Sequence, residues 1–597
     1  MKTAANFELS FGATLLAPQR TRFRLWAPDK NEVTLELENS KGISMQKGSD
    51  GWFAVEADCG AGTRYRYRVS ADLLVPDPAS RAQHGDVFGP SIVVDPHAYV
   101  WRATGWRNRP WHEAVIYEMH IGTMGGFRAA LSRLPDLAAL GITAIEIMPI
   151  GDFAGTRNWG YDGALIFAPE DAYGTPDDLK ALIDGAHALG IMVFLDVVYN
   201  HFGPEGNFLN SYASAFFRSD IKTLWGSAID FRQPQVRNFF IENALYWLLE
   251  YRFDGLRVDA GHAFEDPTIL DELAARVREV VEPMRPVHLI LEHDGNVASF
   301  LREDFNAQWN DDVHHALHVL LTGEKFGYYA DYAGRAIQDL ARCLQEGFAY
   351  QGEASPFRNC APRGEPSADL PPTAFIFFLQ CHDQTGNRPF GDRLASMCDP
   401  LALRAAIALQ LLSPQIPMLF MGEEWGSTQP FLYFTSHSEE LAEAIRIGRR
   451  DEFAMFPAFS DREKISKLPD PNDVQTFLTS IPDWDNAHDN GPHAEWISYY
   501  RNLLGIRHKF VVPRIPEARA IKSTVLGHKA ISAQWRMKDG RVLSLFTNLD
   551  GVEATIPPHR SLDADEILFE TDSGAARDIM QGRLRPHTTI AILTAHQ

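Results

Sequence analysis

A chain of 597 residues is too long for one hydrophobic core and predicts two to four domains. Its formal charge of −22 argues against nucleic acid and anionic membrane surfaces, because both select clustered Lys and Arg. Hydrophobic residues at 45% and charged residues at 22% are ordinary for a globular protein.

No stretch approaches the roughly eighteen uninterrupted apolar residues of a membrane span. The N-terminus, Met1 to Arg20, lacks the long apolar run of a signal peptide. The five cysteines (Cys59, Cys343, Cys360, Cys381 and Cys398) are scattered, with no CxxC pair. That usage predicts a reducing, cytoplasmic setting and no zinc site. A monomer is the expectation.

Residues 6 to 95 consist of short alternating segments separated by turns. Arg22–Ala27, Val33–Leu37 and the strictly alternating Thr63–Val69 are examples. The pattern predicts an N-terminal β-sandwich over 1–95, of the carbohydrate-binding or immunoglobulin-like kind.

From Trp111 the register changes. Eight apolar strand candidates follow: Ala114–Gly122, Ile142–Ile150, Ile191–Asn200, Phe253–Ala260, Val287–Asp294, Phe305–Asp312, Thr373–Asp383 and Pro417–Trp425. Helical patterns lie between them at Gly126–Gly141, Thr175–Gly190, Pro234–Tyr251, Ile269–Met284 and Pro400–Ser413. In the third of these, Val236, Phe240, Ala244 and Leu248 predict a single apolar face. Alternating strands and helices mean a parallel sheet, and eight units predict an α/β fold with a (β/α)8 barrel over 96–515. Glu353–Pro372 reads as a long loop before strand seven, and such loops are often functional. Ser460–His488 also reads as loop, and Trp496–Phe510 as a helix. Short strands such as Ala530–Trp535 and Val542–Asn548 then predict a C-terminal β-domain over 516–597.

Six strands run into ionisable groups at their C-terminal ends. Strand three ends in Asp196 to His201, strand four in Arg257 and Asp259, and strand five in Glu292-His293-Asp294. Strand six ends in Asp311 and Asp312, followed by His314 and His315. Strand seven ends in His382-Asp383-Gln384, and strand eight in Glu423-Glu424-Trp425. In a barrel those ends meet on the face where catalytic groups sit. Arg257 and Asp259 point to the same side of their strand, and the cation favours an ionised carboxylate. A purely structural Arg–Asp pair is the plain alternative for that stretch alone.

Three acids on three strand ends fit a retaining glycosidase, which needs two carboxyl groups about 5–5.5 Å apart. Adjacent strands four and five can bring Asp259 and Glu292 together. Asp259 would attack the anomeric carbon. Glu292 follows the apolar Leu289-Ile290-Leu291, where partial burial favours a protonated acid. Asp383, across the barrel, would hold sugar hydroxyls.

The set Asp196…His201, Gly255–Asp259, Glu292 and Phe378–Asp383 resembles the four signature regions of the α-amylase superfamily of glycoside hydrolases. The resemblance covers the barrel, and the flanking β-domains fit the same layout. It implies that Asp259 is the nucleophile, Glu292 the general acid/base and Asp383 the transition-state stabiliser. It also implies that Tyr161, His201, Arg257 and His382 hold the sugar at the cleavage point.

A narrower resemblance runs over nearly the whole chain. Trp309–His315, His382–Arg388, Met421–Trp425 with Phe434–His437, and Ile116–Thr123 look like the trehalose-releasing hydrolases of that superfamily. Those enzymes cut the α-1,4 bond beside the terminal trehalose of a maltooligosyltrehalose. The likeness implies that this α-glucan is the substrate. It adds His262, Asp311, Asp312, His314, His315, Gln384 and Asn387 as substrate contacts. Cys381, Gly261 and His293-Asp294-Gly295 depart from the family pattern.

The same acids would serve a glycogen-branching transferase or, less well, an α-1,6 debranching enzyme. A non-catalytic glucan-binding protein would have lost at least one of them. Asn200 matches a calcium-ligand position of some amylases, but no acid cluster follows it in sequence. No required metal and no organic cofactor are expected.

Overall fold

The computed structural model describes residues 9–223, 226–454, 467–484, 491–558 and 566–594. Residues 1–8 and parts of the loop Ser460–His488 (460–466 and 485–488) lie outside the described residues.

The N-terminal segment forms two packed antiparallel sheets. One contains Gly12–Ala17, Arg20–Trp26, Trp52–Ala57 and Gln46–Lys47. The other contains Ile43–Ser44, Thr34–Leu37, Arg64–Ser70 and Leu73–Val75, with Ser91–Ile92 beside Arg64–Ser70. The alternation in Arg64–Ser70 follows from one-sided burial: Tyr65, Tyr67 and Val69 face the core and the arginines face out. Tyr65 meets Phe23 of the opposite sheet edge-on at 4.8 Å. Both tyrosine hydroxyls donate to buried Asp77, which satisfies the polar ends of two core rings.

Eight parallel strands close into a barrel, as the alternation predicts: Ile116–Met119, Ala144–Ile147, Met192–Val197, Gly255–Val258, His288–Leu291, Ala307–Trp309, Phe375–Phe378 and Ile416–Phe420. Strand one closes the ring on strand eight, with Ile116 opposite Met418. Each strand is shorter than its apolar run, because the polar residue at its end already belongs to a turn or helix. Asp311 and Asp312 open a helix, Asp311–Thr322, and His382 and Asp383 open the short helix His382–Gly386. Acidic residues are favoured there by the unpaired N–H groups of a helix's first turn.

The crossover helices are Phe127–Leu140, Pro176–Ala188, Pro234–Leu249, Thr268–Val280, Asp311–Thr322, Ala336–Glu346 and Pro400–Leu412. Thr175 and Asp178 form a capping box at the start of the second. The single apolar face expected for Pro234–Leu249 is corrected. Phe239, Ile241, Glu242, Asn243 and Leu245 are buried along with it. The N-terminal sandwich covers the outer side of this helix: Phe11 packs on Phe239 at 5.0 Å, and the Ser10 N–H donates to Glu242. A helix covered on every side carries no stripe.

Three further elements follow, of which only the second lies in a segment that the sequence reads as loop. Gly151–Phe153 pairs with Gly163–Pro169, and Glu353–Ser355 pairs with Ala361–Arg363. Glu439–Ala454 is a helix. The C-terminal sheet runs in the order Arg519–Val525, Ala530–Arg536, Val542–Asn548, Thr588–Thr594 and Glu566–Glu570. It is tied to the barrel helices by Thr589, whose hydroxyl donates to the Ala405 carbonyl, and by Ser523, whose N–H donates to Gln345. Among the described residues no helix is long and apolar enough to cross a membrane.

At the closed end of the barrel, Asp254 precedes strand four and is fully buried. It accepts from the Val193 N–H, the Trp106 indole and Arg285, and bonds the His187 ring at 2.8 Å. Removing it strands a buried cation and several donors. Asp254→Ala is expected to lower unfolding free energy by about 3–5 kcal/mol in a urea titration, with kcat unchanged in the protein that remains folded. An unchanged midpoint would remove this network from the account of barrel stability.

Candidate active site

Arg257 stands at the centre of the open end of the barrel. Its side chain lies inside the ring of strands, 2% exposed, with the guanidinium 4.2 Å over the Trp309 ring. One terminal nitrogen donates to Asp196 at 2.6 Å and to Asp259 at 3.0 Å. The other lies 3.4 Å from Glu292. Three strands therefore present carboxylates to one planar cation, and its fork geometry sets their relative positions. The nucleophile and acid candidates touch neighbouring nitrogens of one group and can address the same anomeric centre.

The turn after strand four binds the two candidates further. Ala260 sits in the left-handed region at φ +43°, a strained conformation for a residue with a Cβ. In that conformation its N–H donates to the Glu292 carboxylate at 2.6 Å, and the Gly261 N–H donates to the Glu292 carbonyl at 2.8 Å. A Cβ at Gly261 would lie 2.8 Å from Leu291 and 3.1 Å from the Glu292 carbonyl. The departure from the family pattern at 261 thus reflects close backbone packing against the acid.

Arg257 pulls Asp259 towards its ionised form, as the sequence predicts, but burial opposes it. Burial pushes Asp259 up to about 8 against the pull of Arg257, with Glu292 and Asp196 adding to the rise. Burial also raises Asp383 and Asp196. Several close carboxylates share one guanidinium, so burial and their mutual repulsion favour a proton within the cluster.

The other side chains named from the sequence divide into two groups. Tyr161, at the end of the hairpin, donates to Asp196 at 2.8 Å and stacks on the His382 ring at 5.0 Å. His382 bonds Glu118 through its ring and its backbone N–H. Burial works against a charged His382, but Glu118 outweighs it and raises the imidazole above its usual range. Asn387 donates to Asp383 and accepts from Arg449. The Gln384 side chain accepts from Cys381. His201 is buried beside Tyr161, bonding its carbonyl at 3.0 Å and the Asn200 side chain at 2.6 Å.

A cleft of about 680 Å³ opens from Glu292 and Asp383. His262, Asp311, His315 and Gln384 line it, joined by Tyr328 and Arg358. His315 stacks on Tyr328 at 4.6 Å, leaving a flat aromatic wall for a sugar face. Burial, with Glu292 nearby, pushes Asp311 up to about 8, so it can donate as a neutral acid. Arg358 holds Asp294 at the rim at 2.8 Å.

Asp312 and His314 do not reach this cleft. Asp312 is fully buried and accepts from Tyr332, Asn296 and the Ala349 and Tyr350 N–H groups, with Arg363 at 2.7 Å. His314 bonds the Leu379 carbonyl at 2.9 Å and stacks on Phe378. Both are held by protein partners instead and position the helix that carries Asp311 and His315. The acids after strand eight also point away from the cleft. Glu424 accepts from Tyr117, and Glu423 accepts from Tyr500.

Sequence reasoning missed Glu118, Tyr328, Arg358 and Arg363 as parts of the site. An acid inside the apolar strand Ile116–Met119 was a readable signal for Glu118. The arginines lie in the segment read as loop, where nothing in the sequence says which way they point. Glu146, beneath Arg257, is buried with neither carboxyl oxygen bonded to protein, and burial raises it well above the carboxylate range.

An alpha-amylase catalytic-domain family model matches residues 110–222. A malto-oligosyltrehalose trehalohydrolase from Deinococcus radiodurans is 40% identical over 82% of this chain and 81% of its own length. One from Arthrobacter ramosus is also 40% identical, over 82% and 88%. A crystal structure described as an alpha amylase from Salmonella typhimurium superposes with a TM-score of 0.92, at 43% identity over 99% of this chain and all of the other. A 1,4-alpha-glucan branching enzyme from Nocardia farcinica matches at 32% identity over only 40% of this chain, so the branching alternative is not favoured.

The Glu118–His382 pair makes a specific prediction. Glu118→Gln is expected to lower kcat/KM about 10- to 100-fold, the worth of a hydrogen bond to a charged group. Because the imidazole then loses its counter-charge, the alkaline fall in activity should move to lower pH. A pH–rate profile that keeps its position would show that His382 does not act as a cation.

Proposed function

We propose that this chain, which belongs to the malto-oligosyltrehalose trehalohydrolase family, hydrolyses the α-1,4 bond beside the terminal trehalose of a maltooligosyltrehalose with retention of configuration. The observation that carries the reading is the convergence of Asp259 and Glu292 on Arg257. Glu292 gives its proton to the glycosidic oxygen while an Asp259 oxygen attacks C1. The C1–O bond breaks, trehalose leaves with the proton, and a glycosyl ester remains on Asp259. Glu292, now a carboxylate, takes a proton from water. That water attacks C1, and the ester bond to Asp259 breaks, releasing the maltooligosaccharide in the α configuration.

Asp383, steadied by Asn387, is the group that grips ring hydroxyls as charge develops. Tyr161 and the His382 cation hold the same ring from below. His262, Asp311, His315 and Gln384 are the side chains for the leaving disaccharide. Five cysteines without a disulfide among them support a cytoplasmic setting.

Two measurements test the reading. Chromatography of a maltotriosyltrehalose digest is expected to give free trehalose and maltotriose, with maltopentaose and amylose attacked slowly. New α-1,6 branches on amylose in place of trehalose would transfer the chain to the branching reaction. Asp259→Asn is expected to lower kcat by roughly 10⁴-fold or more while the thermal midpoint is kept. Near-normal turnover in that variant would remove Asp259 from the nucleophile's place.

A further inference from the structure

A second carboxylate cluster lies at the junction between the N-terminal sandwich and the barrel, remote from the chemistry described above. Asp152, on the strand Gly151–Phe153, Glu170, at the end of Gly163–Pro169, and Asp171, beside it, bring one oxygen each within 4.8 Å of one another. Two oxygens on opposite sides of a calcium ion, with bonds of about 2.4 Å, stand about 4.8 Å apart. Asp86 approaches from the sandwich: its carboxylate accepts from Gly155, and its charge acts on Asp152.

The cluster has no counter-charge. Among the described residues no Lys or Arg pairs with Asp86, Asp152, Glu170 or Asp171. The donors to the group are backbone N–H groups. Asp171 N–H reaches one Asp152 oxygen, Phe153 and Ala172 reach Glu170, and Gly85 reaches Asp171. The second Asp152 oxygen has no partner, although the residue is 0% exposed. One oxygen of Asp86 is likewise unpartnered. An ionised carboxylate buried without a cation is costly, so such groups either take up a proton or bind a metal. Burial and mutual repulsion accordingly push Asp152 and Glu170 well above the carboxylate range.

We propose that Asp152, Glu170 and Asp171, with Asp86 adding charge, bind a calcium-sized dication that fastens the sandwich to the barrel. The donor set is all oxygen, which selects a hard cation. Asp171 is exposed, which gives the ion an entry path and leaves room for its water ligands. The Gly85–Asp171 bond spans the junction, so an ion here ties a sandwich loop to the turn that leads into the helix Pro176–Ala188. The sequence expectation of no metal rested on the lack of an acid run after strand three. These four acids are spread over 86 positions of chain and converge only in the fold.

The test uses the full chain, stripped with a chelator and re-buffered, with calcium chloride alone as the probe. Isothermal titration calorimetry is expected to show one saturable site, and the thermal midpoint should rise by several degrees. Asp152→Asn and Glu170→Gln should each weaken calcium binding at least about tenfold, since even partners one shell further out typically cost 10- to 100-fold. Without calcium, Asp152→Asn should melt at or above the stripped wild type, because it relieves a buried carboxylate with an unpartnered oxygen. Asn200→Ala should bind calcium as the wild type does. The proposal is overturned if calcium gives neither heat nor a shift in midpoint. It is equally overturned if both acid variants bind like the wild type, or if the Asn200 variant alone loses binding.

Discussion

One buried guanidinium organises the open face of this barrel. Arg257 is held over Trp309 and shared among Asp196, Asp259 and Glu292, which arrive from three adjacent strands. A lysine could not do this, because an ammonium is a point charge without a planar fork. The arrangement is electrostatically short of positive charge. That shortage favours a proton in the cluster, and a retaining glycosidase needs one movable proton and one carboxylate that can become nucleophilic. The strained backbone at Ala260 belongs to the same device, since its N–H ties the turn carrying Asp259 to the carboxylate of Glu292.

Around that centre the chain builds in layers. Asp312 is buried behind the cleft and gathers Tyr332 from before the helix Ala336–Glu346, and Arg363 and two backbone N–H groups from after it. This fixes the helix whose first turn offers Asp311 and His315 to the cleft. The sandwich covers the helix Pro234–Leu249, and the C-terminal sheet covers the helices Ala336–Glu346 and Pro400–Leu412. Both β-domains therefore act as outer walls that let barrel helices be apolar on more than one side.

All eight barrel strands were legible, because a parallel strand buried on both faces is a short continuous apolar run. Asp259, Glu292 and Asp383 were legible for a related reason: an ionisable group at the end of such a run has no place in a core. Asp312 and His314 share that sequence signature yet turn inward, and Glu423 and Glu424 bind tyrosines on the far side. Sequence position marks which residues lie near the face, whereas the partners that come from elsewhere decide which of them meet the cleft. Arg358, Arg363 and the acids Asp86, Asp152, Glu170 and Asp171 acquire meaning only through contacts distant in sequence. The period-four stripe in Pro234–Leu249 misled because an extra domain covers its polar side.

The account rests on Asp259 attacking carbon and Glu292 moving the proton. Trapping tests this most directly: incubate the protein with 5-fluoro-α-glucosyl fluoride, digest it, and map the sugar-bearing peptide by mass spectrometry. The account predicts a glycosyl ester on Asp259. A sugar on Glu292 or Asp383, or hydrolysis with inverted configuration and no adduct, would contradict it.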